Sequence, residues 1–582
     1  MRQPPLLLVG LLLTALSSLL SGSDAQPELL ASWSGAEDGE QFGIDLAIGG
    51  DANGNGRADL AVGASTNDAG GENAGKVSIF FGRATPQATP DLELVGAAGS
   101  FFGSAVAWAG DINGDGFDDL LVGAYRDDDA GTNAGKAYIF LGGDPMDDIP
   151  DLVLLGEAEG DYFGREVSGA GDLNGDMVAD FAIGAPRTLN GTVYVYFGGD
   201  PPDGAADLVI PGLAEDDRFG AAIAGVGNAD EIPGDDLLVG APRASTTHLW
   251  QGEVYLFSGG DALDALPDWT VRNDDAGAQL GTSVAGAGDV NGDGAADLVA
   301  GAPYRNVGID VDAGAAYLFY GGALLDTSAD LVIEGSGAEE NLGQSVAGCG
   351  DVTANGYGHL LVGAPGFDGM RLDIGKIVLI PGGDPPQQND FLEFYGEESS
   401  DQYGFDVAGG APGALHSFTG DPHPDIAAGA WGHGIGGKCY LYGLPGGSGH
   451  IDDGDPGGSP TPGTAEPGAY AVRLLAQPNP GSRFTLELLP RRTTGRTGAL
   501  WHQAEDRLAH PDADMRGIEI LILAPDGAAL RRIPSATLSE GTLGCTWDGS
   551  DSHGWPMPSG AYFAVATRDG RLLAGRRLML IR

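Results

Sequence analysis

Residues 102–125 read FGSAVAWAGDINGDGFDDLLVGAY, and the fold turns on what that stretch is. An apolar run ends at Gly110, the segment Asp111-Ile112-Asn113-Gly114-Asp115-Gly116-Phe117-Asp118-Asp119 follows, and a second apolar run occupies Leu120–Gly123. Short apolar runs bounded by Gly, Asp and Asn are strands joined by a turn. Within the turn, side-chain oxygens fall at the first, third, fifth and ninth positions. That spacing suits a hard cation such as Ca²⁺, which takes about six to eight oxygens at roughly 2.3–2.6 Å.

Working outward, the unit recurs. Acidic loops begin at Asp51, Asp111, Asp172, Asn228, Asp289, Asp351 and Ser417, separated by 60, 61, 56, 61, 62 and 66 residues. Before each stands a Phe-Gly-like pair: Phe42-Gly43, Phe102-Gly103, Phe163-Gly164, Phe219-Gly220, Leu280-Gly281, Leu342-Gly343 and Tyr403-Gly404. After each comes an apolar strand ending in Gly-Ala, followed by proline in the third to sixth units. A third strand (Lys76–Phe81 in the first unit, Lys438–Tyr442 in the last) and a fourth (Asp91–Val95 through Phe391–Tyr395) complete the pattern. Four strands per period of about 60 residues is the signature of a propeller blade. The last loop has no fourth strand after it, but Glu28–Trp33 supplies one from the other end. Closing the ring this way removes open sheet edges.

These residues resemble the FG-GAP repeats of integrin α-subunit propellers over roughly residues 28–445. The resemblance implies an all-β, seven-bladed propeller over 26–445 that acts as an adhesion or recognition module outside the cell. It also implies about three to four Ca²⁺ ions in the acidic loops. The expected ligands are Asp51, Asn53, Asn55, the Arg57 carbonyl and Asp59 in the first loop, and Asp111, Asn113, Asp115, the Phe117 carbonyl and Asp119 in the second. The third loop offers Asp172, Asn174, Asp176, the Val178 carbonyl and Asp180; the fifth offers Asp289, Asn291, Asp293, the Ala295 carbonyl and Asp297. An EF-hand would need Glu at position twelve, where Val62, Val122, Ile183 and Ala300 stand. Gly56, Gly116 and Gly294 permit a left-handed bend at the sixth position; Met177 in the third loop would adopt it at a cost of about 1 kcal/mol. Three loops are expected to stay empty: the one beginning at Asn228 keeps Asp230 and Asp236 but has Ile232 as a lost central ligand, the one at Asp351 has His359 at the ninth position, and the one at Ser417 offers only Asp421 and Asp425 in register.

In such a ring the loops between second and third strands share a face with the crossovers, opposite the acidic loops. They are long and unlike one another, and they present Tyr125, Arg126, Arg243, His248, Trp250, Tyr304, Arg305, Phe367 and Arg371. Aromatic residues and arginine dominate interface hot spots, so a protein or glycan ligand is expected there. Catalysis has no comparable signal. Nine histidines are scattered, with no His-Glu-x-x-His, Gly-x-Ser-x-Gly or phosphate loop. The chain therefore reads as a non-enzyme; the alternatives are a polysaccharide-active enzyme on the same scaffold, or a surface-layer component.

Charge is unevenly placed along the chain. Ala469–Arg582 holds 14 Arg and 11 acidic residues, leaving 15 basic and 72 acidic residues before it. A surface that acidic repels nucleic acid and attracts cations. Residues 1–25 read as a signal peptide, with Arg2, the apolar run Leu6–Leu20 and a small-residue site ending at Ala25. A secreted or surface-held, monomeric protein without a transmembrane segment is expected. Residues 446–468, rich in Gly and Pro, read as a linker. Beyond it, Thr546-Trp547-Asp548-Gly549 and Pro558-Ser559-Gly560-Ala561-Tyr562-Phe563 resemble the immunoglobulin-like domain of the flagellar hook-cap protein. That resemblance implies a β-sandwich over 469–582, interrupted by the insertion 491–516, with a sorting or attachment role. Asp548-Gly549-Ser550-Asp551-Ser552 fits a metal-dependent adhesion pattern but sits in an all-β turn, the wrong setting for it. Cys349 and Cys439 are expected to be separate buried thiols rather than a pair.

Overall fold

A computed structural model of the chain describes residues 27–443, apart from 261–262, 324, 354, 370, 384–390, 411–416 and 422, together with eight strands between 470 and 580. The expected signal peptide, the linker, the 491–516 insertion and the 548–552 motif lie outside the described residues. Two compact units are present, one spanning Asp24–Gly447 and the other containing Ser448–Arg582.

The first unit consists of seven four-stranded antiparallel sheets. In the second sheet the strands are Ala105–Gly110, Asp119–Ala124, Lys136–Phe140 and Leu152–Leu155, each hydrogen-bonded to the next. Asp119–Ala124 is buried at every position, whereas Leu152–Leu155 alternates between exposed and sheltered residues. This is what stacked sheets require: a strand covered on both faces reads as a continuous apolar run, and an outer strand wetted on one side alternates. The innermost strands of all seven sheets neighbour one another in cyclic order, the seventh (Val407–Gly409) returning to the first (Phe42–Ile48). The ring is closed by Glu28–Ser34, which pairs antiparallel with Lys438–Gly443 in the seventh blade.

The hydrophobic core is divided in the same way. Seven apolar clusters each join two adjacent blades; one sets Val77, Ile79 and Leu94 of blade 1 against Phe102, Leu120 and Val122 of blade 2. The repeated Phe-Gly and Gly-Ala pairs are the fittings at these junctions. Phe102 bridges to Gly75 of the preceding blade and stands edge-on to Tyr138 at 5.3 Å. Gly103 has φ +75°, and a Cβ there would lie 2.7 Å from the Lys76 carbonyl oxygen of blade 1. Its own carbonyl approaches Gly63 of blade 1 so closely that a Cβ on Gly63 would lie 2.1 Å away. The junction from blade 7 to blade 1 uses the same parts, Phe42 with Gly437 and Gly43 with Gly429. Backbone packed against backbone leaves no room for a side chain, which is why the glycines recur.

The second unit has two four-stranded antiparallel sheets. One runs in the order Tyr470–Leu474, Phe484–Pro490, Thr542–Trp547, Ala536–Leu538, the other Ala529–Pro534, Ile518–Leu523, Gly560–Arg568, Arg571–Leu580. Among the described residues no helix is long and apolar enough to cross a membrane. Cys349 and Cys439 are free and buried, as expected.

Candidate metal loops and recognition face

The acidic loops join the first two strands of each blade at one end of the ring. In loop 2, Asp111 Oδ1 accepts from the Gly114 and Asp115 amides (2.6 and 3.0 Å) and Oδ2 from Gly116 (2.8 Å). Asn113 Oδ1 accepts from the Asp115 amide at 2.8 Å, and its Nδ2 donates to Asp115 Oδ2 at 2.9 Å. Loops 3 and 5 repeat the arrangement, with Asn174 donating to Asp176 at 3.0 Å and Asn291 to Asp293 at 2.8 Å. The first, third and fifth side chains are therefore gathered over one turn, with Phe117, Val178 and Ala295 at the seventh position. Loop 1 differs. Asp51 accepts from the Asn55 and Gly56 amides and Asn53 from the Asn55 amide, but the Asn55 side chain donates to the Gly82 carbonyl at 3.2 Å. Arg57 sends its guanidinium to the Thr419 carbonyl. Met177 is left-handed at φ +72° and exposed, as its place in loop 3 demands.

The ninth carboxylate behaves differently from the others. Asp119 is fully buried, accepting from the Ile112 amide at 2.9 Å and from Gly142, beyond the third strand, at 2.7 Å. Asp59, Asp180 and Asp297 make the same pair of bonds, to Ala52 and Gly82, Leu173 and Gly198, and Val290 and Gly321. So does Asp236, to Ala229 and Gly259, in a loop with Ile232 in place of the fifth ligand. The ninth position is thus a latch between the loop and the third strand, whatever else it does. Burial pushes these carboxyls up, Asp59 to about 8 and Asp119, Asp180 and Asp297 to about 7. Among the described residues no three His, Cys, Asp or Glu side chains converge in a metal-holding group. The gathered side chains in loops 2, 3 and 5 are two Asp and one Asn, all offering oxygen. This donor set matches the preference of Ca²⁺ rather than that of softer metals.

The loops are also tied to one another. The carbonyl of the first residue in each loop accepts from the eighth residue of the next: Asp51 from Asp118, Asp111 from Ala179, Asp172 from Asp235, Asn228 from Ala296, Asp289 from Gly358 and Ser417 from Ala58. The seventh link is missing because Pro424, the eighth residue of the last loop, has no N–H to give.

At the opposite end, loops between second and third strands meet the crossovers. The residue before each Phe-Gly-like pair is left-handed in all seven blades, among them Phe101, Tyr162 and Arg218, with φ of 56°, 59° and 57°. Tyr125 is half-buried between Phe101 (ring centroids 5.8 Å apart) and Tyr162 (5.2 Å). The exposed Arg126 lies 4.5 Å over Phe101, Arg165 5.4 Å over Tyr125 and Arg187 4.8 Å over Tyr162. Arg243 lies 5.0 Å over Trp250, and its buried Nε has no hydrogen-bond partner. His248 is exposed, within 3.2 Å of the Thr247 hydroxyl.

The remaining expected recognition residues stand apart from this group. Arg305 is engaged by Asp275 at 3.2 Å and Glu334 at 2.8 Å. Arg371 donates to the Glu397 carbonyl at 3.0 Å, Phe367 packs against Tyr395 at 5.5 Å, and Tyr304 is exposed. Sequence reasoning found Tyr125, Arg126, Arg243 and Trp250 but missed Phe101, Tyr162, Arg165, Arg187 and Arg218. Phe101, Tyr162, Arg165 and Arg218 flank the Phe-Gly pairs; that the crossovers share this face was the available signal.

Four segments, residues 42–80, 102–140, 163–196 and 280–319, match the FG-GAP repeat family. They carry loops 1, 2, 3 and 5, the four with complete sets of expected ligands. The chain is 32% identical to integrin alpha-5 of Xenopus laevis over 219 residues, covering 35% of this chain and 20% of that protein. It is 39% identical to integrin alpha-3 of Mus musculus over 154 residues, covering 25% and 14%. It is also 33% identical to the phosphatidylinositol-glycan-specific phospholipase D of Homo sapiens over 219 residues, covering 33% and 25%. The chain thus spans a quarter or less of these relatives' own lengths. It carries FG-GAP repeats, built into a seven-bladed propeller similar to part of integrin α chains.

Proposed function

We propose that the propeller is an extracellular recognition module whose acidic loops bind Ca²⁺ and whose opposite face engages a protein or glycan ligand. The observation that carries this reading is the division of the ring. The end bearing oxygen-rich loops repeats from blade to blade, while the other end presents unlike loops with half-exposed aromatic rings and arginines. Bound Ca²⁺ would supply positive charge to loops 1, 2, 3 and 5, held by the first, third and fifth side chains, the seventh carbonyl and the ninth carboxylate. The inter-loop hydrogen bonds would pass that stiffening around the ring. The C-terminal strands are read as an immunoglobulin-like sandwich that sorts or anchors an exported chain.

Calorimetry with Ca²⁺ should find about three to four sites; no heat and no change in melting on chelation would remove the metal from the reading. A binding screen over extracellular proteins and glycans tests recognition. A ligand lost on Trp250→Ala or Tyr304→Ala supports it, and ligands indifferent to every change on that face contradict it. A second reading comes from the relative whose name is that of a phospholipase D. Hydrolysis of a phosphatidylinositol-glycan by the purified full chain would favour an enzyme.

A further inference from the structure

Between residues 27 and 443 the chain has only 14 Lys and Arg, and half of them are neutralised by close carboxylates. Lysines opening the third strands meet carboxylates: Lys76 with Glu93 at 3.1 Å, Lys136 with Asp127 at 3.1 Å, Lys376 with Glu340 at 2.7 Å and Lys438 with Glu397 at 3.0 Å. Arg83, Arg272 and Arg305 are likewise paired. Arg57 and Arg371 turn instead to the backbone carbonyls of Thr419 and Glu397, and the remaining five arginines gather on one face of blades 2 to 4. Among the described residues, no carboxylate comes within 4.0 Å of Arg126, Arg165, Arg187 or Arg218, and Arg243 has only the exposed Asp216 at that limit. Instead Arg126, Arg165, Arg187 and Arg243 lie on rings, and three of the rings touch in sequence from Phe101 to Tyr125 to Tyr162. Arg218 joins the two ends of the group. Burial and the neighbouring guanidiniums of Arg243 and Arg187 hold it below the ordinary arginine range.

Asp216 is the carboxylate acting on Arg218, and Asp45 and Glu166 feel Arg165, but guanidiniums gathered with so few close ion pairs still repel one another, and an anionic ligand would relieve that repulsion. Guanidiniums present paired donors matched to carboxylates, and the half-exposed ring faces between them suit the C–H face of a sugar. A globular acidic protein would bring its own charge against the acidic surface around the patch. A slender polymer would touch the stripe alone. A peptide pairing through its main chain would use the free edge of an outer strand such as Leu152–Leu155, at the rim of the ring, rather than this face. Resting on the recognition reading above, we propose that the arginine–aromatic stripe of blades 2 to 4 binds an anionic polysaccharide through uronate carboxylates.

The test measures binding of hyaluronan and chondroitin sulfate oligosaccharides to the full chain at low ionic strength, with dextran as neutral control and poly-L-glutamate as peptide control. Binding above dextran is expected, weakening as salt rises. Arg187→Gln with Arg218→Gln should weaken it by about tenfold to a hundredfold, since charge-assisted hydrogen bonds are lost. Arg83→Gln, at an arginine already paired with Asp91, should leave it unchanged. If the double variant does not fold, the exposed Arg126→Gln and Arg187→Gln are tested singly. Three results overturn the proposal: neither glycan exceeds dextran, the arginine variants bind as tightly as the parent, or poly-L-glutamate binds as well as either glycan. Capture of a different ligand through the Tyr304 and Phe367 loops, without any response to uronates, removes this inference and leaves the recognition reading intact.

Discussion

The two ends of the ring handle charge in opposite ways. At one end carboxylates recur blade after blade, held by backbone amides, so each loop is a local solution repeated with small variations. At the other end guanidiniums collect in three adjacent blades and are held by aromatic rings, so the site belongs to no single repeat. Backbone amides are available at every turn, and a motif that relies on them can be copied along with the turn itself. An arrangement built from side chains of neighbouring blades arises once. The repeated end is accordingly where stability should be concentrated, and the unrepeated end is where specificity should reside.

Removing Ca²⁺ tests that division most severely. At metal concentrations a hundredfold above the dissociation constant, each site would contribute about 2.7 kcal/mol. Chelation should therefore lower the denaturation midpoint sharply, and Asp111→Ala with Asp289→Ala should remove two sites by calorimetry while sparing ligand binding at the opposite face.

Asp236→Ala separates latching from metal binding. It strands the buried Ala229 and Gly259 amides and should cost about 2–4 kcal/mol in chemical denaturation. Because loop 4 has Ile232 at the fifth ligand position and is expected to stay empty, that loss should be the same with and without Ca²⁺. A Ca²⁺-dependent loss would mean the ninth carboxylate is not an independent latch.

A smaller effect should follow pH. Glu166, at the start of an inner strand, and Asp406, just before another, are pushed up by burial to about 8 and about 7, and Asp45 is raised as well. A carboxyl raised above its unfolded value favours folding fully when protonated, and that contribution fades as pH rises through the folded value. The metal-free protein should thus lose stability between about pH 5 and pH 8, and Glu166→Gln should flatten the slope in thermal melts. The smallest change expected is a gain of about 1 kcal/mol for Met177→Gly, which relieves a left-handed side chain, read as a slight upward shift in the denaturation midpoint.

Much of the blade architecture was legible because its determinants are short and local. Phe102-Gly103 and the Gly-Ala pair mark places where blade meets blade, and their spacing counts the blades; Glu28–Trp33 declared itself by the strand missing elsewhere. The latch was not legible from Asp119 alone, since a ligand and a hydrogen-bond acceptor call for the same residue. Asp236, kept in a loop whose fifth ligand is replaced by Ile232, was the hint. The arginine stripe was hidden for another reason. Phe101, Tyr162 and Arg218 owe their placement to left-handed backbone at non-glycine residues, which no hydrophobic period announces.

The strand that closes the ring has a consequence in time. Glu28–Ser34 finds its partner only in Lys438–Gly443, some four hundred positions later. During synthesis the first strand must wait, unpaired, until nearly the whole propeller has emerged. Contacts that distant in sequence slow folding because the loop must close before they repay it. Six blades can assemble as they appear, but the circle exists only once the last one arrives, and until then its opening segment is a bare strand that anything nearby can claim.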